Sequence, residues 1–354
     1  MNSPGLFGLK NTNRDFKDPE TWGKNQFNSS FPAALACFMK QKDLKANYLA
    51  ISGGVFTHKE ISFEGLFGTD PLDDDTYFSF ETAFNKFAPQ VVGRMPGTDL
   101  VTASNDDKSI QYAPLEIKLT ALPDMTTANL AESEYGSELV VRPDTILYLC
   151  LLLHRDNKDV IFEKFNNNRI EVQNWTDSEK VLEKLTSIYE LLLSIVSAEG
   201  ITESPVLMQP IWKTEGQSPK LKDKCLDIFV WSTLGFLKFI LDIGYPVANN
   251  KITRATRTII WIHSTLRDLA LANKTDFSSM VDSLSYGTRN DKAFAASGRV
   301  TNTYMKCANL ETPRIKKSEI SQIIIGGGQN NLSPERRFDA IVVNSPEIFD
   351  AESN

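Results

Sequence analysis

Cysteine and histidine are scarce in this 354-residue chain. Cys37, Cys150, Cys225 and Cys307 stand far apart with no C-x-x-C pair, and His58, His154 and His263 are the three histidines. Such spacing excludes a zinc site of paired cysteines and a small disulfide scaffold, and it argues against a histidine-rich metal centre. The first residues, MNSPGLFGLK, lack the apolar core of a secretory signal. No apolar run is clean enough to span a bilayer: Leu226 to Tyr245 is the most apolar, and Asp227, Lys238 and Asp242 interrupt it, so it reads as a buried helix. Gly326-Gly327-Gly328 is not followed by Gly-Lys-Ser/Thr, which excludes a Walker loop and leaves a flexible turn. These absences describe a cytoplasmic protein of a reducing compartment with no membrane partner.

An excess of positive charge is missing as well. The formal net charge of -7 is unfavourable for a nucleic-acid partner, because DNA binding rests largely on Lys and Arg neutralising phosphates. The charge is unevenly spread, however. Glu60 to Asp75 is acidic, with the run Asp73, Asp74, Asp75, whereas Lys251 to Arg267 and Arg289 to Lys317 are rich in Arg and Lys. A fold that keeps the acidic segment outside and gathers the basic ones allows a basic cleft and an acidic exterior.

Within this ordinary globular composition, 41% hydrophobic and 23% charged, enough for one large domain or two packed together, one constellation carries chemistry. Glu116 and Lys118 alternate with Leu115, Ile117 and Leu119. A period of two puts the aliphatics on one strand face and Glu116, Lys118 and Thr120 on the other. Asp99 opens a second apolar stretch, Leu100 to Ala103, and the polar segment Ser104 to Ser109 between the stretches has hairpin-loop composition. A turn centred on Asp107 and Lys108 sets Asp99 opposite Glu116. Adjacent carboxylates repel unless a cation compensates. An oxygen-rich pair suits Mg2+, and a lysine beside it can orient or deprotonate a water and offset growing negative charge. Phosphodiester hydrolysis is the reaction these parts fit. The solvated face of an edge strand is the alternative.

Elsewhere the chain alternates between order and loop. Residues 1–30 read as an irregular arm leading into a short helix, Pro32 to Lys40, and Tyr48 to Phe63 as strands joined at Gly53 and Gly54. Phe80, Phe84 and Phe87 recur at helical spacing and predict a helix over Phe78 to Phe87, with Glu81 on it as a solvated charge or an accessory acid. Leu122 to Arg142 is mostly loop, and Pro143-Asp144-Thr145 starts a helix or a strand. Thr176 to Glu179 matches a capping box before a helix running to Gly200. Helices are expected over Leu226 to Ile243 and Arg254 to Ala272, and strands over Ile323 to Ile325 and Phe338 to Val343. Arg289, Lys292, Arg299, Lys306, Arg314, Lys316 and Lys317 are interleaved with Tyr286, Phe294 and Tyr304. Arg289, Arg299, Asn302, Lys306 and Arg314 are candidates for DNA contacts, against a plain solvated surface.

The stretches WGKNQFNSSFPAALACFM, FSFETAFNKF, GTDLVTA, LEIKLTALPDMTTANL and YGSELVVRPDTI together resemble the HindVP-type family of type II restriction endonucleases, over roughly residues 8–150. The resemblance implies an α/β (α+β) fold with a PD-(D/E)XK core, a mixed sheet flanked by helices, its metal site at one sheet edge. It implies Asp99 and Glu116 as Mg2+ ligands, the backbone carbonyl of Ile117 as a further ligand, and Lys118 beside the attacking water. Pro96 lies three residues before Asp99, where the motif has proline immediately before the acid; proline supplies geometry there and no ligand.

On this reading the arm and first helix occupy residues 1–45, the catalytic core 46–160, and a largely helical region 161–354, packed with the core, holds recognition and dimerisation elements. The expected activity is Mg2+-dependent cleavage of double-stranded DNA at a short palindrome, GRCGYC in type, leaving 5'-phosphate and 3'-hydroxyl ends. A palindrome implies a homodimer, and a cognate DNA methyltransferase would protect host sites. The alternatives are a structure-specific repair or recombination nuclease, and a DNA-binding protein on the same core that no longer cuts.

Overall fold

The computed structural model describes residues 6–14, 24–122, 138–215, 220–245, 251–288, 292–297, 299–324, 342 and 344–348. The long helix α1 (Lys24–Gln41) leads into the hairpin β1 (Ala46–Ser52) and β2 (Val55–Ile61). A short α2 (Phe63–Phe67) then precedes the antiparallel meander β3 (Thr76–Thr82), β4 (Thr98–Ser104) and β5 (Gln111–Ile117), followed by β6 (Thr120–Leu122). Strand β7 (Glu138–Val141) runs directly into α3 (Pro143–Asp156), and α4 (Lys158–Asn167), α5 (Ser178–Leu182) and α6 (Leu185–Val196) follow. Two long strands, β8 (Pro205–Thr214) and β9 (Leu221–Ser232), precede α7 (Thr233–Gly244), α8 (Arg254–Ala272), α9 (Phe277–Ser283) and β10 (Phe294–Ser297).

Among the described residues nine strands form one mixed sheet, in the order β2-β1-β9-β8-β5-β4-β3. Strand β6 extends the β5 row along β8, and β11 (Ile315–Lys316) extends the β1 row along β9. Strands β5 and β8 run parallel, as do β1 and β9, and the other neighbours on this path are antiparallel. The parallel crossover from β5 to β8 carries α3 to α6 over one face, as such connections must. Alternation along the strands divides two cores. Leu49, Leu207, Ile211, Phe229 and Trp231 pack beneath the helices α3 to α8, while Tyr48, Ala50, Met208, Trp212, Ile228 and Val230 face α1 and α2.

The expected mixed sheet flanked by helices is therefore present, with local corrections. Helix α1 is not the short Pro32–Lys40 but starts at Lys24, inside the expected arm, and runs through Pro32, a residue that usually opens a helix and so suggests a later start. Leu226 to Ile243 is not one helix. Its first part finishes β9, and Ser232 caps α7 by accepting the Gly235 N–H at 2.9 Å. A strand buried on both faces loses its period of two and reads as a continuous apolar run, which is why the sequence suggests a helix there. Phe78 to Phe87 is not a helix either. Phe78 and Phe80 are inward residues of β3, whereas Phe84 and Phe87 belong to the opposite core beyond a break at Glu81, whose φ of 52° is left-handed. The helix expected to reach Gly200 is two helices, capped by Asp177 rather than Thr176: the Asp177 carboxylate accepts the Glu179 and Lys180 N–H groups. Thr176 bonds Asn174 instead. Pro143 starts a helix, α3, and Arg254–Ala272 is helical as expected.

Residues 6–14 form the expected irregular arm with a specific task. Asn11 O accepts from Phe78 N–H, and the Asn13 side chain both accepts from Phe80 N–H and donates to Phe80 O. The arm thereby covers the β3 edge, which would otherwise be open to pairing. Ile323 closes a one-turn helix, Ile320–Ile323, while the glycine triplet and most of the expected final strands lie outside the described residues. No helix among the described residues is long and apolar enough to cross a membrane.

A buried ion pair joins β9 to the C-terminal segment. Asp227 is fully buried and accepts two hydrogen bonds from the Arg314 guanidinium, from Nε at 2.8 Å and Nη2 at 2.6 Å; Arg314 also reaches Glu60 and the Lys45 carbonyl. Removing one partner of such a pair strands the other charge. Arg314→Ala should therefore destabilise the protein by about 3–5 kcal/mol in urea unfolding. Unchanged stability would show that Asp227 does not depend on this arginine.

Candidate active site

Strand pairing fixes the position of the acids. Leu100 pairs with Leu115, Val101 with Pro114 and Thr102 with Ala113, and one further step in the same register sets Asp99 opposite Glu116. The turn is held by Asp107, whose carboxylate accepts from Ser109 N–H and Oγ. A bulge between Thr102 and Ala103, where Ala103 pairs with Gln111, shifts the register by one so that Asp99 meets Glu116 and not Leu115. Leu115 and Ile117 enter the core on the α1 side, and Leu119 packs against it, so Glu116 and Lys118 project from the other face. Asp99 shares that face: its Oδ2 accepts the Ile117 N–H at 2.8 Å. The Lys118 ammonium lies 2.5 Å from Glu116 Oε1 and 3.5 Å from Asp99 Oδ2, bridging both carboxylates.

These three side chains line a cleft of about 510 Å3, with Glu81, Gly97, Thr98, Arg142, Asp144 and Lys292 on its walls. Gly97 packs closely against the strand beside it: a Cβ there would sit 3.1 Å from the Glu81 carbonyl oxygen, tighter than an ordinary contact. Glu116 is the deepest member, 6% exposed, against 33% for Asp99. Two hydroxyls hold it, Thr145 Oγ1 at 3.0 Å from Oε1 and Thr98 Oγ1 at 3.4 Å from Oε2. Thr145 lies in the first turn of α3, whose positive end favours a nearby carboxylate.

The electrostatics are those of crowded acids. Burial pushes the Asp99 carboxyl up to about 6, the Glu116 charge adds to the rise, and Lys118 and the Ile117 N–H oppose it. Burial also raises Asp144, again with Glu116 contributing. For Lys118, burial favours the neutral amine, but Glu116 and Asp99 outweigh it and hold the side chain as ammonium. Oxygen donors available to a cation are the Asp99 and Glu116 carboxylates and the Ile117 carbonyl between Glu116 and Lys118. Among the described residues there is no group of three or more His, Cys, Asp and Glu placed to hold a metal.

This geometry accompanies a match to known proteins along nearly the whole chain. A family model described as HindVP restriction endonuclease matches residues 22–349. The chain belongs to the HindVP restriction endonuclease family. Type II restriction enzyme HgiDI of Herpetosiphon aurantiacus is 40% identical over 353 residues, 99% of this chain and 98% of that protein. Probable type II restriction enzyme HindVP of Haemophilus influenzae is 42% identical over 352 residues, 98% of this chain and 95% of that protein. Likeness to the HindVP family thus extends well past residue 150, where the recognisable motifs end. No solved structure matches the chain.

The other expected site residues are dispersed. Glu81 lines the cleft mouth, 57% exposed, and faces Arg14 at 3.5 Å; the Arg14 guanidinium stacks on Phe80 and donates to Ser30 Oγ. Arg289 lies outside the described residues, and so does the Arg299 side chain, although its backbone opens the helix Arg299–Tyr304. Asn302 follows in that helix, and Lys306 is exposed beyond it. Arg314 is committed to Asp227. The interleaved aromatics serve the fold: Tyr304 packs on Phe56 and Phe239, and Tyr286 donates to the Trp175 carbonyl. Sequence reasoning did not place Asp144, Thr145, Arg142 or Lys292 at the site. The available signal was Arg142-Pro143-Asp144-Thr145, a charged helix entry with proline in its first turn.

An aspartate in an unfolded chain titrates near about 4, whereas folded Asp99 keeps its proton up to about 6. Between those values the folded state binds more protons, so this contribution to stability is present at the acid end and is lost as pH rises through the window. In chelator, the unmodified protein should lose stability relative to Asp99→Asn from pH about 4 to about 6 in urea unfolding. Parallel pH profiles would contradict the assignment.

Proposed function

We propose that this chain is a type II restriction endonuclease that hydrolyses double-stranded DNA at a short palindrome, with Asp99, Glu116 and Lys118 as catalytic residues and Mg2+ as cofactor. The observation that carries the reading is the Asp99–Glu116 pair facing one another across β4 and β5 with one ammonium between them. Relatives of about 40% identity named as type II restriction enzymes support it.

The donor set fits Mg2+. Two carboxylates and the Ile117 carbonyl are hard oxygen ligands of the kind that ion takes, and the position between the acids already accommodates a positive charge. Bound there, Mg2+ would supply Lewis-acid polarisation of the scissile phosphoryl group and acidify the attacking water. Lys118 would orient or deprotonate that water and offset charge growing on the phosphoryl oxygens, since an ion bound between the two acids would relieve the pull that holds the lysine as ammonium. Thr145 and Thr98 fix the Glu116 carboxylate, and the Ile117 N–H fixes that of Asp99. Glu81, at the cleft mouth, is the accessory acid. In-line attack forms the new P–O bond as the bond to the 3' oxygen breaks, leaving 5'-phosphate and 3'-hydroxyl ends.

The palindrome implies a homodimer, each copy addressing one strand. GRCGYC is the sequence that the family resemblance implies, and a cognate methyltransferase in the same cytoplasm is the implied functional partner. Arg289, Arg299, Asn302 and Lys306 remain the base-reading candidates, while Arg314 serves the fold. Incubation with a plasmid of known sequence and Mg2+ should give discrete fragments. Asp99→Ala and Lys118→Ala should each slow cleavage by about 10²–10³-fold or more. A smear or structure-dependent nicking would favour a repair nuclease, and full activity of Lys118→Ala would remove that lysine from the mechanism.

A further inference from the structure

The cleft that must receive a polyanion is itself acidic. Asp99, Glu116, Asp144 and Glu81 line it, and Lys118 is already engaged by two of them. Two further cations stand on its wall, Arg142 and Lys292. Among the described residues neither head group makes an ion pair or hydrogen bond. Several basic side chains elsewhere are committed to acids, among them Arg155 to Asp156, Lys238 to Asp242, Arg267 to Asp268, Arg314 to Asp227 and Lys317 to Glu347; what distinguishes Arg142 and Lys292 is their place on the cleft wall.

Their placement is built. Strands β7 and β10 pair antiparallel as a separate two-stranded ribbon, with Phe294 opposite Val141. Beyond that pair Ala293 N–H donates to Val141 O at 2.8 Å, which brings Lys292 beside Arg142 at the ribbon's end, although they are far apart in sequence. Arg142 is the N-cap residue of α3, and its carbonyl accepts from Ile146 N–H, so its backbone is continuous with the helix that presents Asp144 and Thr145 to Glu116. The Lys292 backbone is held from below. Arg257, fully buried in α8 and stacked over Trp261, donates from Nη2 to the Lys292 carbonyl at 2.8 Å and to the Ala293 carbonyl at 3.4 Å. Two uncommitted cations on fixed backbone therefore share one wall of the site.

We infer that Arg142 and Lys292 form a phosphate clamp at the lip of the cleft, gripping non-bridging oxygens of the DNA backbone next to the scissile phosphate. The inference rests on the nuclease reading and names residues that hold the strand, without sequence preference, while Asp99, Glu116 and Lys118 act on it. Arg142 supplies a fork that matches two phosphate oxygens, and Lys292 a mobile point charge. Contacts of this kind position a duplex and carry no base information.

The test is binding to two duplexes, one carrying the cleaved sequence and one lacking it, with Ca2+ replacing Mg2+, across a range of KCl concentrations. Arg142→Gln and Lys292→Gln should each weaken binding to both duplexes equally and reduce the slope of log K against log salt by about 0.9 per lost contact. The double variant should lose about twice that, with an unchanged melting temperature, and Lys292→Arg should keep the slope. A double variant with the full slope, in a protein that still binds and cuts, would overturn the clamp and leave the nuclease reading standing. Loss confined to the cleaved sequence would also overturn it, in favour of base reading. An unmodified protein that neither binds nor cuts DNA would end both.

Discussion

Asp99 and Glu116 repel, and β4–β5 pairing leaves them nowhere to go. Their register is set by backbone hydrogen bonds and by the bulge between Thr102 and Ala103 that accompanies the turn at Asp107, and the aliphatic neighbours Leu100, Leu115 and Ile117 are sealed in a core that a one-residue slip would turn out to solvent. The surroundings answer the repulsion one contact at a time: the Lys118 ammonium between the carboxylates, the Ile117 N–H on Asp99, and hydroxyls of Thr98 and Thr145 on Glu116. Burial, with the Glu116 charge adding to it, nevertheless keeps Asp99 raised to about 6. A site left in that condition has unspent affinity for a further positive charge, and the proposed function draws on it.

The rest of the architecture serves to hold that face still and to open it on one side. The crossover helices cover the sheet, and the first turn of α3 brings Asp144 and Thr145 down onto Glu116. From the same turn the chain passes back into the β7–β10 ribbon, so the wall of the cleft and the anchor of its deepest acid are one continuous segment. Net negative charge is no obstacle to a DNA-directed reading on this arrangement. Many surface cations are tied to acids in the fold, whereas Arg142 and Lys292 on the cleft wall have no such partner among the described residues, and the proposed clamp rests on them.

Much of the site was legible because its strand is polar on one face. Leu115, Ile117 and Leu119 against Glu116 and Lys118 is the alternation of a half-covered strand. The register expected from a turn centred on Asp107 and Lys108 holds at Leu100 to Thr102, although beside the turn Ala103 pairs with Gln111 and a bulge makes up the one-residue difference. Helix α8 was equally plain, bounded by Thr253 at its cap and Asn273 in left-handed conformation at its end. Strand β9 was hidden because both its faces are buried, which erases alternation. The Phe80, Phe84 and Phe87 spacing misled because residues of two elements, facing opposite cores, happened to fall at helical intervals. Lys292 was beyond reach for a different reason: a second ribbon strand brings it to the site, and nothing local in its segment announces that meeting.

The most direct measurement is calorimetric titration of the metal-free protein with Mg2+ in two buffers of different ionisation enthalpy. If the two acids and the Ile117 carbonyl converge on a divalent cation, binding at pH about 6 displaces the Asp99 proton, the release disappears at pH about 8, and Glu116→Gln abolishes or greatly weakens binding. Binding of equal strength in Glu116→Gln, or no saturable binding to the unmodified protein at either pH, would contradict the account.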